Sequence, residues 1–247
     1  MDLLSKGNTK VLKTNDWGMA EYSMKVMHLS PSDSSGIGNT CGKETTGCKD
    51  SCFRNNGHFL HKQVRSAHDK KTEWYFNEPQ TFKLALLGEC VRHEYEAKKA
   101  RLKPVVRLNG TSDIAWEEWD SIFQQCPDTQ FLDYTKHVDR MECFLGKNST
   151  VFPSNYHLTF SRSENNWLDC VDVMHLGGNI AVVFEELPEQ YAGLPVIDGD
   201  EHDLRFLDPS PCIVGLSAKG RARTDMTGFR VRKEMLPEGY TPLLITA

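Results

Sequence analysis

Apolar residues fall into short runs separated by polar segments, and the runs alternate between two spacings. Near-continuous apolar stretches at 24–31, 104–108, 131–135, 156–160, 179–185, 195–197 and 212–216 predict strands. Between them, helical spacing predicts helices over 53–71, 79–101, 114–123, around Met141 and Phe144, and over 167–174. Pro79 suits a first helical turn, and Phe82, Leu86, Leu87, Cys90 and Ala97 recur on one side of the helix that follows it. Residues 1–23 have little periodicity and read as an N-terminal arm. Residues 32–52 are dense in Ser, Gly, Thr, Asp and Asn and read as a loop. A loop of about 20 residues without secondary structure is uncommon unless something functional holds it.

Strands alternating with helices predict an α/β fold, with a parallel sheet covered by helices. Polar residues follow successive strands at 109–113, at Lys136 and His137, and at 161–163, 198–203 and 219–223. In a barrel all these strand ends gather around one opening; in an open sheet they spread along an edge. The expectation is a partial or small (β/α) barrel in a single domain over 1–247, with a plain open sheet as the alternative.

The chain has 247 residues and a formal net charge of -5. Slight acidity argues against nonspecific coating of nucleic acid. The apolar runs at 84–87 and 180–184 are far shorter than the roughly 20 residues a membrane helix needs. The N-terminus lacks a signal-peptide pattern, so a cytoplasmic protein is expected. Gly36-Ile37-Gly38 lacks the rest of a P-loop, and no nucleophile-elbow sequence appears. Eight cysteines in such a chain favour metal binding or buried thiols over disulfides.

Cys41, Cys48 and Cys52 lie within twelve residues, with Gly42 and Gly47 between them. Thiolates suit zinc or iron. Three ligands in one loop suit a [4Fe-4S] cluster with an open iron; zinc with His58 or His61 as fourth ligand and ordinary thiols are the alternatives. Cys90, Cys126, Cys143, Cys170 and Cys212 read as buried hydrophobes.

Asn109, Thr111, Ser112, Asp113, Tyr134, Lys136, Ser161 and Arg162 make a candidate pocket, with Lys136 or Arg162 for a carboxylate or phosphate. Ser112 and Asp113 also suit the cap of the following helix. Asp200, His202 and Asp203, within an acidic run from Asp198, are candidates for a second metal or an acid–base pair. Lys219, Arg221 and Arg223, together with His61, Arg65, Lys70 and Lys71, could line a phosphate groove for a nucleotide or single-stranded nucleic acid. Trp116 and Trp119 read as core.

Taken with the cysteine segment, the stretches 107–113, 131–136, 158–161 and 199–208 resemble phage- and plasmid-borne proteins of the gene-product-88 type, over roughly residues 24–230. They also look like distant relatives of radical S-adenosylmethionine enzymes, whose partial barrel carries a three-cysteine [4Fe-4S] loop after the first strand. Those enzymes space their cysteines by three and two residues; here the gaps are six and three. Their glycine-glycine-glutamate segment is matched only by Asn109-Gly110-Thr111. The resemblance implies an iron-sulfur protein of a phage or other mobile element. One form is an enzyme using S-adenosylmethionine on an unidentified substrate. The other is a non-catalytic, host-binding protein that kept the fold.

Overall fold

Five- and six-residue runs of mostly buried side chains form the centre of one ten-stranded sheet. The computed structural model describes residues 1–5, 21–55, 57–119, 121–147 and 151–235. Its strands are β1 (Leu4–Ser5), β2 (Tyr22–Met27), β3 (Lys103–Arg107), β4 (Gln130–Thr135), β5 (Tyr156–Ser161), β6 (Ile180–Phe184), β7 (Gln190–Tyr191), β8 (Leu194–Asp198), β9 (Ile213–Ser217) and β10 (Arg230–Val231). The sheet order is β1-β2-β3-β4-β5-β6-β9-β8-β7, with β10 also paired to β6. Strands β2 to β6, β9 and β8 run parallel, whereas β1 and β7 are antiparallel at the two ends.

The helices are α1 (Thr46–Ser51), α2 (Lys62–Asn77), α3 (Pro79–Lys99), α4 (Ser121–Gln125), α5 (Val138–Phe144) and α6 (Trp167–His175). One face of the sheet packs against the helices. Leu108, Phe131, Leu158, Phe160, Ile180 and Ile213 share a core there with Phe82 and Leu86 of α3 and Val173 of α6. Each fully buried Leu, Ile or Phe contributes about 1.5–3 kcal/mol over its exposed state. The opposite face carries Met24, Val26, Val105 and Leu132, closed by Leu204, and beside them Ala181, Cys212 and Val214. Residues 202–208 therefore lie across that second face.

The seven expected strands are all present. The sheet does not close, however. It ends in β1 on one side and β7 on the other, which corrects the expectation of a barrel to an open mixed α/β sheet. Segment 32–52 is not one loop, because α1 forms inside it. The helix expected over 53–71 starts at Lys62, since Gly57 takes a positive φ of 52° and the preceding residues make two 3-10 turns. Around the tryptophans, the expected helix reduces to a 3-10 turn at Trp116–Glu118 and to α4. The arm expected over 1–23 falls largely on residues 6–20, outside the described residues. No described helix is long and apolar enough to cross a membrane.

Candidate functional site at the carboxyl ends of the parallel strands

Strand β4 carries Asp133 into the core with no exposure. Its carboxylate accepts from the Asn109 backbone N–H at 2.6 Å, from Asn109 Nδ2 at 3.2 Å and from Tyr156 Oη at 2.7 Å. Burial nevertheless pushes its pKa up to about 7, because lost hydration outweighs these bonds and the nearby Arg107 and Arg140. Arg140 on α5 is also buried. It forks onto Glu117 at 2.6 and 2.8 Å and reaches Asp113 Oδ1 at 2.8 Å, Thr135 at 3.2 Å and Tyr156 at 3.1 Å. Asn109 Oδ1 accepts from Ser112, Ile114 N–H and Trp116 Nε1. This network fixes the loop after β3 against the end of β4. The remaining oxygen of Asp113 accepts from the Lys136 backbone N–H at 2.8 Å.

The cysteine segment covers that mouth. Glu164 holds the start of α1, accepting from Thr45 Oγ1 at 2.7 Å and Gly47 N–H at 2.8 Å. Gly47 has no room for a side chain, because a Cβ there would run into Thr227 and Phe229. Gly47→Ala is expected to cost about 1–3 kcal/mol by forcing α1 off the 227–229 segment. A urea midpoint unchanged from wild type would refute that packing.

Lys136, just beyond β4, is half-buried. Its ammonium lies within electrostatic reach of Cys41, Cys48 and Cys52. Cys41 Sγ donates to the Thr111 carbonyl at 3.7 Å. Burial pushes the Cys41 thiol up to about 11 and raises Cys52.

These contacts overturn the expected cofactors. Among the described residues no group of three or more His, Cys, Asp or Glu side chains is arranged to hold a metal ion. The Lys136 charge also acts on Cys41, Cys48 and Cys52, a cation competing for the electron pairs that a [4Fe-4S] cluster or zinc would need. His58 and His61 pack on each other at 5.2 Å. The S-adenosylmethionine reading rested on an open iron and falls with the cluster. So do the iron-sulfur enzyme and its metal-bearing non-catalytic form.

Beside the cysteine segment a cleft of about 330 Å³ opens at the carboxyl ends of β3 and β4. Asn39, Thr40 and Gly42 form one rim, 113–116 and His137 the floor, and Tyr75, Phe76, Glu118, Trp119 and Lys83 the opposite wall. Lys83 Nζ lies 5.0 Å from the Trp119 ring centre. Gly38 comes so close to Phe76 that a Cβ would stand 2.5 Å from the ring, which presses the rim onto the aromatic wall.

The other expected site residues are dispersed. Thr111 Oγ1 donates to Leu29 O, and Ser161 O accepts from Asn166. Ser112 and Asp113 cap no helix; both are bound into the Asn109 and Arg140 network. Arg162 donates to the carbonyls of Gly228 and Phe229, each at 2.9 Å. The acidic run separates, which corrects its reading as a second metal site. Asp200 pairs with Lys219 at 2.7 Å, whereas Asp203 lies 3.6 Å from Arg107 and His202 contacts Arg205 beneath the sheet.

Lys219, Arg221 and Arg223 are exposed, and Arg223 donates to Ala218 O. Lys71 is buried on Leu3 O, and Arg65 bonds to the carbonyls of Phe59 and Arg54. Four of the five other cysteines are buried, and Cys143 is half-buried.

Sequence reasoning passed over Tyr75, Phe76 and Lys83 as site residues, and also Asp133 and Arg140. A carboxylate between Leu132 and Tyr134 in an apolar strand was the available signal for Asp133. On α5, an arginine preceding Met141 was the signal for Arg140.

No curated protein and no solved structure matches the chain. Nothing in the comparisons carries the likeness to radical S-adenosylmethionine enzymes. A family model described as gene product 88 matches residues 2–233, in keeping with the expected phage protein. With nearly its whole length matched, this chain belongs to the gene product 88 family.

Proposed function

We propose that this protein is a small-ligand-binding protein whose cleft at the ends of β3 and β4 takes a planar, negatively charged molecule of the nucleotide class. The observation that carries the reading is the composition and place of the cleft. It joins aromatic rings from Tyr75, Phe76 and Trp119 to the cationic Lys83 and the imidazole of His137, just beyond the carboxyl ends of parallel strands. Ligands of open α/β sheets bind at that edge. Its volume, about 330 Å³, is at the lower end of the range for small-molecule sites. Aromatic faces stack on a base, and an ammonium on a mobile stem suits a phosphate.

Strand order supports a common mouth: β2, β3, β4, β5 and β6 follow one another in chain order, as they would in an unclosed (β/α) barrel. In this reading the loops after β3 and β4 hold the ligand. We read 1–247 as one domain, with Lys136 and Asp113 as supports of the floor.

Isothermal titration with adenosine, AMP, ATP and tripolyphosphate tests the proposal. AMP or ATP is expected to bind more tightly than either adenosine or tripolyphosphate alone. Lys83→Ala is expected to remove about 1.5–3 kcal/mol of that affinity, the worth of a charge-assisted hydrogen bond. Equal heats for all four ligands, or binding untouched by both Lys83→Ala and Trp119→Ala, would remove the cleft as the site.

A further inference from the structure

A second group of polar side chains lies on the sheet face opposite the helix-covered core, and ligand binding in the cleft makes no use of it. We propose that Arg107, Tyr134 and Thr159 form a site for a small carboxylate there, and that Asp203 of the 202–208 segment occupies it in the closed protein as a stand-in for the ligand's carboxylate.

Alternation along the strands places the three side chains together. Leu108, Phe131, Leu158 and Phe160 belong to the helix-covered core, so Arg107, Tyr134 and Thr159 fall on the opposite face of β3, β4 and β5. Tyr134 accordingly packs there against the cluster of Ala181, Cys212 and Val214. Arg107 is level with Leu132, and Tyr134 with Thr159, in neighbouring parallel strands. The Arg107 guanidinium stands 4.7 Å from the Tyr134 ring centre. Asp203 reaches the same guanidinium, its Oδ2 lying 3.6 Å from Nη1, while the adjoining Leu204 packs into the apolar patch that holds Leu132.

Unmet hydrogen bonding marks this group as a site. Arg107 Nε, Tyr134 Oη and Thr159 Oγ1 are each buried without a hydrogen-bond partner, and Thr159 has no exposure at all. Folded proteins pair the large majority of their buried side-chain polar atoms, and each exception needs a cause. Asp203 does not supply the missing bonds to Arg107, because at 3.6 Å the pair is held by charge and is longer than a hydrogen bond. All three orphaned atoms can donate: one guanidinium N–H and two hydroxyls. Three donors beside one fixed positive charge suit a single oxyanion, and a planar carboxylate matches the edge of a guanidinium. The carboxylate of Asp203 already stands against that guanidinium. A ligand carboxylate bonded to Nε and the two hydroxyls would compete with Asp203 for Arg107 and release the 202–208 segment from it.

Two measurements on the full-length chain test this. Urea denaturation reads the orphaned groups: Thr159→Val and Tyr134→Phe each remove a buried hydroxyl at nearly constant shape, so both are expected to keep the midpoint or raise it. A midpoint lowered by either variant would show that hydroxyl to be paired in the fold, and would overturn the proposal. Isothermal titration with acetate, and separately with inorganic phosphate at matched ionic strength, reads the site itself. Both titrations use the Lys83→Ala background, so that the cleft ammonium adds no anion binding. Acetate is expected to bind more tightly than phosphate. Asp203→Asn is expected to tighten acetate about tenfold, as for a site freed from an internal competitor that fills it nine-tenths of the time. Arg107→Gln is expected to weaken it about tenfold or more, the effect of losing a charge-assisted hydrogen bond, and Thr159→Val and Tyr134→Phe to weaken it less. Tighter binding of phosphate, no binding of acetate even in Asp203→Asn, or an acetate affinity untouched by both Thr159→Val and Tyr134→Phe would each overturn the proposal. The last two variants keep the Arg107–Asp203 pair, so they decide the matter even if Arg107→Gln fails to fold. Nucleotide affinity plays no part in either readout.

Discussion

Replacing Arg140 with methionine is expected to destabilise the protein by about 3–5 kcal/mol, the usual cost of removing one partner from a buried ion pair. Arg140 is 5% exposed at its side chain, and its partners Glu117 and Asp113 are only 15% and 11% exposed. Without the guanidinium, two carboxylates would stay close together in a dry site, and Tyr156 Oη would lose a donor. In a chain of this size such a loss lowers the melting temperature by on the order of 10 °C. Arg140→Lys keeps a charge but cannot fork onto Glu117, so it should fall between wild type and Arg140→Met. Adding Glu117→Gln to Arg140→Met should recover part of the loss, because one uncompensated charge is then gone. An Arg140→Met variant within 1 kcal/mol of wild type by urea denaturation would show that this network does not hold the loop after β3. The functional consequence is local: Asp113, Ile114, Ala115 and Trp116 are cleft residues, and Asn109, Asp133 and Arg140 place them.

The same network shows what the sequence made legible and what it did not. Strands β3 to β6 and β9 were readable because each is a run of side chains buried on both faces, and no other short element looks like that. The edges were not. β1, β7 and β10 have two residues each, too few to carry a period. Closure was misjudged for a related reason. Polar residues after successive strands mark the carboxyl edge of a parallel sheet, whether that edge bends into a ring or stays open.

The cysteines carry the clearest lesson. The spacing of Cys41, Cys48 and Cys52 is equally compatible with a metal and with ordinary thiols, and only their placement in the fold decides, since among the described residues they form no ligand group. Lys136 itself was selected as a site residue, but for an anion rather than for a thiol. The cleft is not legible in the sequence because Tyr75 and Phe76 come from the end of α2 and Lys83 from α3, outside the polar strand-end loops.

Stability is expected to fall steeply as pH drops from 6.5 toward 5, and buried histidines are the cause. Burial, aided by neighbouring cations, lowers His28 to about 3, and it lowers His68 and His157 each to about 4. In the unfolded chain each titrates near 6.5, so across this window the unfolded state takes up protons that the folded state refuses. A folded pKa below the unfolded one means stability that is present above pH 6.5 and lost as the pH falls. Asp133 works in the opposite sense. Its folded pKa of about 7 lies above the ordinary carboxylate value, so its contribution is full in acid and is lost as the pH rises through 7.

Between pH 5 and 6 these three histidines oppose one aspartate, a net of about two protons, or roughly 2.7 kcal/mol per pH unit where all are titrating, and His93, also lowered by burial, adds to the slope in the same sense. Urea denaturation at half-unit steps measures this slope directly. Asp133→Asn should steepen it by about one proton, or roughly 1.4 kcal/mol per pH unit, and His157→Gln should flatten it by a similar amount. A curve that is level between pH 6.5 and 5 would mean that these imidazoles are hydrated or charged in the folded protein. His28 has the most to say about the mouth. Its Nδ1 is buried without a hydrogen-bond partner, and Gly110 approaches so closely that a Cβ there would stand 2.5 Å from it. Charging that ring would push on the turn after β3 that carries Asn109. His28 is the last of the three to charge in the folded protein, so this turn should give way with the chain as a whole, tryptophan fluorescence and far-ultraviolet circular dichroism changing over the same pH range.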